Sequence, residues 1–105
     1  MPTTIQEYQN LTDSEKIGLL SKIQYIITML ARGTYTVESE EVDCPKELRK
    51  FNELTHRIAC QQMDICFKKE YIPDNIFVQM IIEDMVSMGI YNDVDLELTR
   101  LSSTL

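Results

Sequence analysis

"FNELTHRIACQQMDICF", residues 51–67, holds the only histidine of the chain and two of its three cysteines. Those residue types suggest a metal or catalytic centre, yet their setting reads as the inside of a helical bundle. At about 100° per residue, Lys46, Lys50, Glu53, Arg57, Gln61, Asp64 and Lys68 fall on one narrow water-facing stripe. Leu48, Phe51, Leu54, Ile58, Ala59, Met63, Ile65, Cys66 and Phe67 spread over most of the remaining circumference. So wide an apolar arc needs cover on more than one side, which makes a helix over 45–69, opened by Pro45, the expected central element. Asn52, Thr55 and Gln62 fall inside that arc and His56 on its flank. Buried polar side chains must find hydrogen-bond partners, so these four residues are the candidate polar network of the core or of an oligomer seam.

The competing chemistry is thin. His56, Cys60 and Asp64 repeat at every fourth position, but a side chain two turns along lies roughly 12 Å from the first, beyond the reach of one ion. Zinc usually takes four ligands, and the chain offers no second histidine. Glu53 and His56 repeat the Glu-x-x-His step of di-iron bundles, which need it twice. An imidazole–thiol pair with no third group to orient it, and no phosphate-cradling loop, is poor material for nucleophilic catalysis. No catalytic residue, metal ligand or cofactor site is therefore assigned, and the chain is expected not to be an enzyme.

Around this element, "LTDSEK" (residues 11–16) carries a capping box in Thr12 and Glu15. The repeat Ile17, Leu20, Ile23, Ile27 and Leu30, widened by Leu19 and Ile26, predicts a helix over about 12–32 with Gly33 as its stop. Residues 34–44 lack a helical period and crowd Glu38, Glu40, Glu41 and Asp43 into an expected acidic loop. Pro73, Asp74 and Asn75 start a third helix over 74–88, whose apolar face is Phe77, Val78, Ile81, Ile82, Met85 and Met88. Gly89 before Ile90 matches a Schellman stop. Val94, Leu98, Leu101 and Leu105 favour a short fourth helix at 93–103 over the strand-like alternation of "VDLEL". The expected fold is all-α, an up-and-down bundle of three to four helices in a single domain, 1–105.

The net charge of −7 is distributed as −4 over residues 1–44, +2 over 45–70 and −5 over 71–105. The basic residues of the middle segment alternate with Glu47, Glu53, Asp64 and Glu70, a salt-bridged solvated face rather than a phosphate-binding footprint, so direct nucleic-acid binding is not expected. No apolar run approaches the roughly 18 residues of a membrane span. "MPTTIQEYQN" has neither the charged nor the apolar region of a signal peptide. With three cysteines and no Cys-x-x-Cys pair, the expected location is the cytoplasm.

Ile76 and Met80 fall opposite the main apolar face of the third helix, a pair suited to contacts outside the chain. Met63, Met80, Met85 and Met88 are soft side chains of the kind that grip varied apolar surfaces, although at helical spacing methionine is more often core filling. The terminal "STL" resembles the Ser/Thr-x-aliphatic ligands of PDZ domains, and Leu105 equally ends a helical stripe. The favoured function is a protein-interaction module, such as a regulator, chaperone-like factor or immunity-type inhibitor. It is expected to form a homodimer that buries Ile76, Met80 and part of the second helix. The alternatives are an acidic decoy using the carboxylates of 38–43 and 93–97 to mimic nucleic acid, and a thiol or metal enzyme centred on His56 and Cys60.

Overall fold

The computed structural model describes residues 5–34 and 46–103. These residues form an all-α, bundle-like fold: a 3-10 helix, Ile5–Asn10, followed by α1 (Asp13–Thr34), α2 (Lys46–Cys66), α3 (Asp74–Ser87) and α4 (Tyr91–Ser103). The expected acidic loop, apart from Thr34 at the end of α1, and the last two residues of "STL" lie outside the described residues.

Local chemistry sets most of the boundaries. The Thr12 amide donates to Glu15 Oε1 at 3.1 Å, and the Glu15 amide donates to Thr12 Oγ1 at 3.3 Å, completing the capping box at the start of α1. The same contacts, the Thr12 amide foremost, hold the Glu15 carboxyl below its usual range. The helix runs through Gly33 rather than stopping at it. After α3 the Ile90 amide reaches Met85 O at 2.9 Å and the Gly89 amide reaches Val86 O at 3.0 Å, with Gly89 at φ 74°; this is the expected Schellman stop. α2 ends in the same way without glycine. The Lys69 amide bonds Asp64 O at 2.9 Å, the Lys68 amide bonds Ile65 O at 3.1 Å, and Lys68 itself takes φ 55°. The helix thus stops short of the expected residue 69.

One apolar core draws on every element: Ile5 and Tyr8; Leu19, Leu20, Ile23, Ile26 and Ile27 of α1; Phe51, Leu54 and Ile58 of α2; Phe77, Val78, Ile81 and Met85 of α3; and Val94 and Leu98 of α4. Burying each such large side chain stabilises the fold by about 1.5–3 kcal/mol before the entropy of ordering is counted. α1, not α2, is the hub, because it packs against α2, α4 and the 3-10 helix. The physical reason is that the short N-terminal helix inserts Ile5 and Tyr8 into the core, with the Tyr8 ring 5.7 Å from that of Phe77, and so occupies one of the sides on which α2 was expected to find cover.

Candidate interaction surface on the second helix

α2 is oriented differently from its simple hydrophobic pattern. Phe51, Leu54, Ile58 and Gln61 point inward, whereas Met63 and Phe67 are 56% and 65% exposed and Cys60 and Cys66 are also exposed. The sequence pattern puts Gln61 on the water-facing stripe. It is buried because two polar groups from other parts of the chain draw it in: its Nε2 donates to the Tyr8 hydroxyl at 3.4 Å and to Asp74 Oδ1 at 3.5 Å.

Asp74 also accepts from Lys16 Nζ at 2.6 Å, and that ammonium lies 5.4 Å from the centre of the Tyr8 ring. This joint ties the 3-10 helix to α1, α2 and α3. Burial, opposed by the Gln61 hydrogen bond and aided by the charges of Asp74 and Asp13, pushes the Tyr8 hydroxyl up to about 12. The cleft above the joint, about 220 Å³, is lined by Asp13, Lys16, Asp64, Lys68 and Asp74 among others. Lys16 pairs with Asp74 and Lys68 lies 3.7 Å from Asp13, while Asp64, Lys69 and Glu70 complete the charged lining, so the cleft is a mixed-charge seam with a single shielded ion pair.

The four residues of the expected polar network divide into two pairs. Gln62 Nε2 donates to Ile17 O at 3.2 Å and to Ser21 Oγ at 2.9 Å, and the Thr55 carbonyl accepts from Gln24 Nε2 at 3.2 Å. Both sit on the α1–α2 seam, where such bonds fix the register of one helix against the other. The Thr55 hydroxyl instead donates to the Asn52 carbonyl within α2 at 2.9 Å, and among the described residues the Asn52 and His56 side chains make no hydrogen bond across the seam. Both are exposed in the single chain, because the turn of α2 that brings Gln61 inward carries them outward. On α3, Ile76 is 43% exposed, while Met80 is half-buried.

The outward face of α2 therefore presents Arg49, Glu53, His56, Cys60, Met63 and Phe67, with successive spacings of four, three, four, three and four. The spacing is that of a coiled-coil seam, and of the six residues Met63 and Phe67 are the large apolar ones. Just beyond it Tyr71 is 70% exposed. Near the middle of the seam His56 Nε2 lies 3.6 Å from Cys60 Sγ. The histidine and the thiol expected inside the bundle thus face solvent, and among the described residues no hydrogen bond or ion pair joins either of them to a carboxylate. Among the described residues no group of three or more His, Cys, Asp or Glu side chains is placed to hold a metal ion. Nor is any helix among them long and apolar enough to cross a membrane. In the comparisons with known proteins, no family model, curated protein or solved structure matches the chain.

Proposed function

We propose that the chain is a small cytoplasmic protein-interaction module without catalytic activity, and that it docks a protein through the outward face of α2. One observation carries the reading: two large apolar side chains, Met63 and Phe67, are more than half exposed along a seam that has no helix over it within the described chain. Apolar surface in water is unfavourable by roughly 25 cal/mol per Å², so a seam of this spacing gains by taking a partner. Of the acids on α4, Glu97 already accepts from Arg100 at 2.9 and 2.7 Å, which leaves it less to offer a basic partner.

The test is the double substitution Met63→Lys/Phe67→Lys, with Leu96→Lys as a control at an apolar site that is 66% exposed on another helix. The double variant is expected to keep its helix content and lose the assemblies that the parent forms, with itself or with another protein. Those assemblies should persist in high salt, because apolar docking is screened little, whereas an acidic decoy would release its partner steeply as ionic strength rises. Equal assembly by the parent and both variants would remove α2 from the reading.

A further inference from the structure

The outward seam of α2 holds half of a metal site. His56 Nε2 and Cys60 Sγ are 3.6 Å apart on adjacent turns, and both side chains are exposed. On a tetrahedral zinc, a Zn–S bond of about 2.3 Å and a Zn–N bond of about 2.0–2.1 Å put the two donor atoms about 3.6 Å apart. The pair thus already stands at the separation of two ligands on one ion. A structural zinc site is closed by four protein ligands, and this chain has no other histidine.

We infer that the outward face of α2 pairs with the same face of a second copy of this chain, and that one zinc-type divalent cation is held between them by His56 and Cys60 of each. The inference rests on the reading of that face as a docking surface and names its occupant. A two-fold axis crossing the seam midway between His56 and Cys60 doubles two donors to a His2Cys2 set, whereas among the described residues neither copy alone completes the site. With the helices antiparallel, as this axis requires, His56 lies opposite the second copy's Cys60, Glu53 opposite its Met63 and Arg49 opposite its Phe67. The last pairing sets a guanidinium against an aromatic face that is 65% exposed in the single chain. The bond-making step is ligand exchange: the cation's bound waters leave for solvent, each thiol loses its proton to solvent as its sulfur binds, each imidazole binds through Nε2, and nothing is oxidised.

The experiment titrates zinc chloride into the full chain, kept in a phosphine reductant, and reads mass by sedimentation equilibrium and metal content by elemental analysis. The expected result is a doubling of mass with one zinc per two chains, reversed by a chelator. His56→Ala and Cys60→Ser should each weaken zinc-dependent pairing by roughly 100-fold or more, whereas Cys66→Ser, on another face, should leave it intact. Cobalt(II) in place of zinc should give the visible bands of a tetrahedral site and the ultraviolet charge-transfer absorption of two thiolates per ion. A chain that stays monomeric at saturating zinc, or that binds one zinc per monomer, overturns the inference. So does a dimer that the chelator, His56→Ala and Cys60→Ser leave unchanged. If Met63→Lys dissolves that unchanged dimer, the docking face survives and only the metal bridge fails; if it does not, both readings fall together.

Discussion

The two faces of α2 both carry large apolar side chains, but in opposite situations. Leu54 and Ile58 are 1% and 0% exposed against α1 and the rest of the core, while Met63 and Phe67, no less apolar, stand in water. Within this fold, position relative to neighbours decides which apolar residues hold the chain together and which are left for something else. The contrast can be tested directly. Ile58→Ala is expected to destabilise the fold by about 2–5 kcal/mol, through lost burial and the cavity that remains. Phe67→Ala should change the stability of the isolated chain by less than about 0.5 kcal/mol, as at other surface positions. Urea denaturation of both variants at a concentration that keeps the chain monomeric checks this. A large loss at Phe67 would mean that the outward face is structural after all.

The joint beneath the inner face supplies a second contrast. Lys16–Asp74 is mostly shielded, with side chains 13% and 28% exposed, whereas Arg57–Asp84 on the flank of α2, at 2.8 Å, is 38% and 41% exposed. A shielded charge left without its partner costs more than an exposed one, because water cannot replace the lost neighbour. Lys16→Met should therefore cost about 1–3 kcal/mol. Arg57→Met should cost about 0–1 kcal/mol, with the smaller effect further reduced in high salt. Thermal melts at low and high ionic strength distinguish the two.

What the sequence made legible follows the range of the interactions involved. The Thr12–Glu15 box and the Gly89 stop are written in residues a few positions apart, and both occur as expected. The fourth helix was legible from Val94 and Leu98, which are buried at their helical spacing. The 3-10 helix was missed because six residues are too few to display a period, and its two core residues, Ile5 and Tyr8, sit one turn apart without a flanking stripe. That omission propagated. Gln61 was assigned to water because its partners, Tyr8 and Asp74, lie 53 and 13 residues away, and no local pattern announces them. Once Gln61 turns inward, Asn52, His56 and Cys60 turn outward with it. The wide apolar arc implies cover on two sides, whereas the structure covers one side of α2 and leaves Met63 and Phe67 exposed; periodicity alone does not say which side the chain itself covers.

The end of the outward seam offers a smaller effect of defined sign. Gly89 and Lys68 occupy equivalent positions in two Schellman stops, at φ 74° and 55°. A side chain in the left-handed region costs roughly 1–2 kcal/mol that glycine avoids. Gly89→Ala should accordingly lower stability by about 1 kcal/mol, although open space surrounds the added methyl, and Lys68→Gly should raise it by about 0.5–1 kcal/mol. The 3.7 Å contact of Lys68 with Asp13 is too exposed to offset this gain. If Lys68→Gly proves neutral or harmful, the lysine serves the cleft in a way that its weak ion pair does not express.

The smallest expected effect distinguishes the inner joint by pH. In the unfolded chain a tyrosine loses its proton near pH 10, whereas burial pushes folded Tyr8 up to about 12. Between those values the folded chain binds more protons than the unfolded one, so the Tyr8 contribution to stability is complete below pH 10 and is lost as pH rises toward 12. Tyr8→Phe keeps the ring against Phe77 and leaves Gln61 bonded to Asp74, so at pH 7 it should cost less than about 1 kcal/mol. Above pH 10 the variant should lose stability more slowly than the parent, until the two curves converge or cross. Lysines and the remaining tyrosines titrate in both proteins, so the difference between paired urea melts from pH 9 upward isolates Tyr8. Parallel curves would mean that its hydroxyl reaches water in the folded state, and the joint that turns Gln61 inward and leaves the other face of α2 outward would be looser than its geometry implies.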